Sequence, residues 1–205
     1  MTEAAGRMRI GLLGGAFDPI HRGHLALARA ALELENLDQV LFVVAAEPLH
    51  KRPEASATDR LAMVSAALEK EPGMASCDVE FGMQGPVYTV DAVQMLRRQL
   101  PNAEFVLILG GDAAVSFPFW YGSERLASML RLACFPRGGE DLFPPLRDEC
   151  GVGEATLFAC YSVKLPAISS SQIRERLRAG EAASELLPPA AAAFIRAKGL
   201  YQEHT

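Results

Sequence analysis

The sequence predicts an α/β protein: a doubly wound parallel sheet with helices on both faces. Two observations predict it. Short, almost continuously apolar segments alternate along the 205-residue chain with segments that carry apolar residues at helical spacing. Two of the apolar runs also end in paired glycines, Gly14-Gly15 and Gly110-Gly111, as expected where a strand turns sharply.

In order along the chain, Met8 to Leu13 reads as a buried strand that stops at Gly14-Gly15. His24 to Leu34 follows as a helix, with Leu27, Ala31 and Leu34 on one face. Gln39 to Ala45 is apolar on both faces, as a strand covered by helices on either side must be. Asp59 to Lys70 is expected to be a helix and Ser76 to Phe81 a shorter strand. Val90, Val93 and Leu96 mark a helix ending near Pro101, and Glu104 to Leu109 is another buried strand. Leu132 to Phe135 and Thr156 to Val163 are further strands, joined by a Pro- and Gly-rich surface connection from Pro136 to Gly153. Ser169 to Ala179 and Pro188 to Lys198 are helices. The second opens on proline and is followed by Gly199, the usual asymmetry of helix ends. The expectation is one domain over residues 1–205, with residues 1–7 as a flexible extension.

Half of the residues are hydrophobic, which is ample for a core, and the net charge of −5 argues against a general nucleic-acid binder. No apolar run approaches the roughly 20 residues needed to span a bilayer. The segment Met1 to Arg7 has no apolar centre, so no secretory leader is expected and the protein reads as cytoplasmic. Cys77, Cys134, Cys150 and Cys160 are scattered, without metal-ligand spacing, and read as free thiols. Homo-oligomer formation is left open.

The segment richest in chemistry is Gly14-Gly15-Ala16-Phe17-Asp18-Pro19-Ile20-His21-Arg22-Gly23-His24, between the first strand and the first helix. Unpaired N–H groups and the helix dipole favour phosphate there. Gly14 and Gly15 let backbone approach a ligand, and Gly23 leaves room between His21 and His24. Two imidazoles at such a helix start can donate hydrogen bonds to phosphate oxygens. The chain has neither G-x-x-x-x-G-K-[ST] nor G-x-G-x-x-G spacing here. The plainer reading is a glycine-rich turn followed by two ordinary histidines.

This segment resembles the H-x-G-H motif of the adenylyl- and cytidylyltransferase superfamily, whose fold is Rossmann-like. From Arg9 to Tyr201 the chain is similar to bacterial nicotinate-nucleotide adenylyltransferases. The resemblance implies transfer of AMP from ATP to nicotinate mononucleotide. His21, His24 and Arg174 would be catalytic, and Gly14, Gly15, Phe17, Asp18 and Gly23 would also contact ATP. Mg²⁺ would be bound mainly through ATP phosphates, with few or no direct protein ligands and Asp18 as a contact through water.

Further motifs carry the same resemblance. Ile168-Ser169-Ser170-Ser171-Gln172-Ile173-Arg174 is close to I-S-S-T-x-I-R. On physical grounds Ser169 and Gln172 can form a capping box, and Ile173 and Leu177 face the core, leaving Arg174 free for a phosphate. The alternative is a capped surface helix with solvated arginines. By resemblance Ser170, Ser171, Ile173 and Arg174 hold the β- and γ-phosphates. Gly110-Gly111-Asp112 matches G-x-D at a strand end, where Asp112 can accept from ribose hydroxyls or cap a helix beginning at Ala113.

Around the mononucleotide, Trp120-Tyr121, His50-Lys51, Tyr88-Thr89 and Arg137 resemble the family's W-Y, P-P-H-K/R, S-Y-T and R-P-G segments. Taken alone, they read equally as a core aromatic cluster, a basic turn, a helix cap at Thr89 and a loop. Ala46, Leu49, Val87, Ala92 and Gly138 depart from the family pattern, mostly near this pocket. The alternatives are nicotinamide mononucleotide or phosphopantetheine as acceptor, or a nucleotide sensor that has lost catalysis.

Overall fold

A computed structural model describes residues 7–49, 52–135 and 158–202 of the chain. Six parallel strands form one sheet: β1 (Arg9–Gly15), β2 (Gln39–Val44), β3 (Met74–Cys77), β4 (Glu104–Gly110), β5 (Arg131–Phe135) and β6 (Phe158–Cys160). Their order is β3-β2-β1-β4-β5-β6, so the chain winds outward from β1 in one direction and then returns to wind the other way. This is the Rossmann-like, doubly wound order that the alternation predicts.

Among the described residues seven α-helices cover the sheet: α1 (Arg22–Leu34), α2 (Ala57–Leu68), α3 (Thr89–Gln99), α4 (Gly111–Ser116), α5 (Ser123–Met129), α6 (Ser170–Arg178) and α7 (Pro189–Lys198). The core divides by strand parity. Val106 and Ile108 of β4 join Leu25 and Ala28 of α1, Met63 and Val64 of α2, Ile173 of α6 and Ile195 of α7. Phe105, Leu107 and Leu109, on the opposite side of the same strand, pack with Val90 and Val93 of α3, Ala114 of α4 and Leu126 of α5. Successive side chains of a strand face opposite ways, so a strand sandwiched between helix layers must be apolar at nearly every position.

Several boundaries differ from expectation. The strand expected over Ser76 to Phe81 runs over Met74–Cys77, because Asp78 leaves the extended region at φ −104°, ψ 20° and a 3₁₀ turn follows at Val79–Gly82. Within the expected strand Thr156 to Val163, Phe158–Cys160 is strand, while residues 156–157 and the connection Pro136 to Gly153 lie outside the described residues. Helix α4 begins at Gly111, two residues before the helix that Asp112 could cap, and α5 has no counterpart among the expected elements; the two flank a 3₁₀ turn at Phe117–Phe119 that contains Pro118. Among the described residues no helix is long and apolar enough to cross a membrane.

The sheet also makes the site. Strand β1 pairs with β2 up to Gly15↔Val44, but its ladder with β4 ends at Leu12↔Leu107. Both strands continue three residues further, to Gly15 and Gly110. Their carboxyl ends therefore part at the point where the winding reverses, which is where such sheets hold ligands.

Candidate active site

The loop after β1 leads straight into α1. Gly14 is exposed at the end of the central strand, and a Cβ there would meet no atom within 4 Å, so the space above it is open. Gly15 behaves differently: its missing side chain makes way for the ring of Phe17, which a Cβ would meet at 3.1 Å. Phe17 is buried and lies edge-on to His24 at 5.0 Å and tilted against Phe42 at 5.5 Å. Its φ of 51° is a strained, left-handed value for an aromatic residue. Asp18-Pro19 is a cis peptide.

His21 and His24 occupy the N-cap and N3 positions of α1, the spacing of a capping box. Their rings stack at 3.7 Å. The two are not equivalent. His21 is 2% exposed, whereas His24 is half-buried. Gly23 does not open a gap between them, as the sequence suggested. A Cβ there would stand 3.0 Å from the His21 ring, so glycine makes room for His21 against the first helical turn. The His21 N–H donates to His24 Nδ1 at 3.2 Å. A backbone N–H can only donate, so Nδ1 carries the lone pair and the His24 proton sits on Nε2. The first turn of α1 contains no acidic residue to offset the dipole.

The second motif docks on the first. Ser169 Oγ caps α6 by accepting from the Gln172 N–H at 3.2 Å, one of the two bonds of the expected capping box. Ser170 Oγ donates to the Pro19 carbonyl at 2.9 Å, and Ile173 is fully buried. Arg174 is not free: Nη1 donates to the Asp18 carbonyl at 2.7 Å, Nε to Glu54 Oε1 at 2.8 Å, and Nη2 lies 3.5 Å from Ser171 Oγ. Thus residues some 150 positions apart form one wall of the crevice.

Asp18 lies beneath that wall rather than in it. It is 5% exposed, and its carboxylate accepts from the N–H groups of Glu54 (2.8 Å) and Ala55 (3.1 Å) and from the Tyr201 hydroxyl (2.7 Å). Arg174 Nη1 stands 3.7 Å from the same group. Burial, then the Asp18 hydrogen bond and charge, push the Tyr201 phenol far above its usual range. With its oxygens engaged by the protein, the Asp18 carboxylate works as a brace joining the loop after β1, the start of α2 and the chain after α7.

Sequence reasoning missed Arg60, which is 1% exposed on α2. Its guanidinium donates to four carbonyls: Ala55 (3.3 Å), Ala16 (2.8 Å), Ala45 (2.7 Å) and Ala46 (3.0 Å). It therefore ties the loop after β1 to the chain leaving β2. Burial pulls its pKa down, opposed chiefly by the charge of Asp18. Glu80 accepts from the Ala46 N–H at 3.1 Å, and burial raises its carboxyl above the usual range. The signal for Arg60 was present in the sequence: it occupies the apolar stripe of α2 with Met63, Val64 and Ala67.

At the end of β4, Gly110 is the N-cap of α4. Asp112 does not cap a helix beginning at Ala113. It sits exposed in the first turn, beside the parted strand ends. Beyond it, the half-buried Trp120 donates from Nε1 to Ser116 Oγ at 3.1 Å and packs 5.6 Å from Phe117. Tyr88, the N-cap of α3, lies 4.3 Å from the ring of Tyr121, so two motifs read separately form one aromatic surface. Thr89 opens α3 and does not cap it. His50, Lys51 and Arg137 lie outside the described residues.

Comparison with known proteins agrees with this architecture. Residues 12–176 match the family model described as cytidylyltransferase-like. A Halalkalibacterium halodurans protein named "Probable nicotinate-nucleotide adenylyltransferase" is 40% identical over 197 residues, covering 95% of this chain and 91% of its own. A Thermus thermophilus protein of the same name is 40% identical over 195 residues, covering 95% and 100%. The fold is also that of Plasmodium falciparum nicotinic acid mononucleotide adenylyltransferase complexed with NaAD. That structure has a TM-score of 0.79 at 18% identity and covers 94% of this chain and 97% of its own. The chain therefore belongs to the cytidylyltransferase-like family and, within it, to the nicotinate-nucleotide adenylyltransferases.

Proposed function

We propose that this protein transfers the adenylyl group of ATP to nicotinate mononucleotide, giving nicotinate adenine dinucleotide and pyrophosphate. The observation that carries the reading is the docking of Ser170 and Arg174 onto the loop Asp18-Pro19. It brings a cation and two helix starts without first-turn acids to the mouth of one crevice. A phosphate oxygen of the mononucleotide attacks the α-phosphorus of ATP in line, the bond to the bridging oxygen breaks, and pyrophosphate leaves with its electron pair. No protein nucleophile is needed, so catalysis rests on positioning and on donors aimed at the developing charge. The Nε2 proton of His24 supplies one such donor, with His21 stacked beneath to hold the ring. Arg174 receives the departing pyrophosphate. Mg²⁺, when bound, supplies further neutralisation of the phosphates. Phosphate oxygens are its natural ligands, because the Asp18 carboxylate already accepts from Glu54, Ala55 and Tyr201.

The test is direct. Pyrophosphate release should require ATP and nicotinate mononucleotide together, with the dinucleotide identified by mass. Turnover with phosphopantetheine and none with pyridine nucleotides would overturn the assignment, as would ATP binding without turnover on any acceptor.

The aromatic surface gives a second expected result. The pyridine ring stacks on Trp120, through the attraction of an electron-poor cationic ring to an indole face. Trp120 is the only tryptophan in the chain, so its fluorescence has one source. Titration with nicotinate mononucleotide should quench it, and an unchanged spectrum at saturating, turning-over substrate would dismiss the stacking.

A further inference from the structure

Arg174 and Arg178 stand one turn apart on α6, and both reach the loop that precedes α2. Arg174 Nε donates to Glu54 Oε1 at 2.8 Å, and Arg178 Nη2 donates to the same oxygen. Two guanidinium groups on one anionic oxygen is the arrangement they would make with a phosphate. The Glu54 side chain is 37% exposed, so the pair is open to an incoming solute. Burial acts to raise the Glu54 carboxyl, but hydrogen bonds from Arg178 and Arg174 and their charges prevail and hold it below the usual range. It is therefore an anion at neutral pH. Its backbone is secured separately, through the Glu54 N–H on Asp18 Oδ2. The side chain can swing away while the loop stays in place.

We propose that Glu54 is a built-in competitor of the ATP phosphates. Its carboxylate holds Arg174 and Arg178 between turnovers, yields them to the β- and γ-phosphates, and reclaims them as pyrophosphate leaves. The inference rests on the adenylyl-transfer reading and deepens it. Two like charges one turn apart repel each other, and Glu54 offsets that repulsion without a ligand. An anion that must be displaced weakens the binding of both ATP and pyrophosphate. The weaker grip on pyrophosphate matters more, because product held on two bare arginines would be slow to leave.

Calorimetric titration of Mg-ATP and of inorganic pyrophosphate into the wild type and Glu54→Gln tests this. The amide keeps the size and an acceptor oxygen but removes the charge. Both ligands should bind between about threefold and tenfold more tightly to the variant, the range set by losing one or two partly exposed ion pairs. Pyrophosphate should become a stronger product inhibitor by a similar factor. In an Arg178→Ala background the gain should shrink, because one of the two contested cations is gone.

Equal or weaker binding by a Glu54→Gln variant that melts at the wild-type temperature overturns the competitor role. A lower melting temperature together with weaker binding overturns it too, and assigns Glu54 to anchoring α6. If the wild type binds neither ATP nor pyrophosphate and turns over no acceptor, the adenylyl-transfer reading itself fails. A wild type that turns over normally beside a variant without tighter binding removes Glu54 alone.

Discussion

Replacing His24 with alanine lowers kcat by roughly 100-fold, the effect of losing one preorganised donor to a transition state, about 2.7 kcal/mol. The His24 proton lies on Nε2 because Nδ1 accepts the His21 N–H, so the ring arrives with its donor already fixed. Fixing the tautomer beforehand removes a reorganisation step from the reaction. The ring is half-buried and its loss leaves the strands and the apolar face of α1 untouched, so the variant should fold. Rapid-quench measurement of dinucleotide formation, paired with a melting curve, checks both halves of the expectation. Normal turnover in a folded variant would make the histidine pair a helix cap and nothing more.

The largest loss of stability is expected at Arg60. Arg60→Met removes a guanidinium that satisfies four carbonyls and strands them in a buried setting, at a cost of about 3 kcal/mol. For a domain of this size that corresponds to a fall in melting temperature of about 6–12 °C. Differential scanning calorimetry measures it. The same variant should raise KM for the mononucleotide, since Ala45 and Ala46 lead into the segment that carries His50 and Lys51. Arg60→Lys rescues only part of either effect, because one ammonium cannot span four carbonyls set around a planar fork. An unchanged melting temperature in Arg60→Met would mean that water replaces the guanidinium.

The sheet was readable because burial on both faces leaves little choice of residue. Gln39–Val44 and Glu104–Gly110 fall within one residue of where their apolar runs begin and end. Short elements were less legible. Helix α4 has six residues and α5 seven, fewer than two helical turns each, too short for an apolar stripe to stand out beside Pro118 and Gly122. Val79 and Phe81 alternate like strand residues, yet they sit in a 3₁₀ turn, because alternation over so few positions also fits a turn with one buried side.

In the candidate site, the loop after β1 and α6, marked by two separate motifs, meet beside the end of β1. The motifs could not reveal which groups hold one another. Asp18 and Arg174 were expected to face ligand. What local sequence did not show is that Asp18 accepts from Glu54, Ala55 and Tyr201, and that Arg174 donates to Glu54 and the Asp18 carbonyl. Those pairings join positions 36 to 183 residues apart through tertiary contacts, for which local sequence carries no period. The coupling of Tyr88 to Tyr121 was hidden for the same reason.

The hydrogen bond from Tyr201 to Asp18 joins positions 183 residues apart. Closing so long a loop is entropically expensive and comes after the neighbouring β and α units have paired. During synthesis, then, β1, α1 and β2 can assemble while the loop between them still lacks its brace. The nascent protein acquires a sheet well before it acquires a competent crevice. Damage to the segment after α7 should accordingly be felt as silenced chemistry in a chain that still resists proteolysis, since what it removes is the clasp on residue 18 and not the layers around the strands.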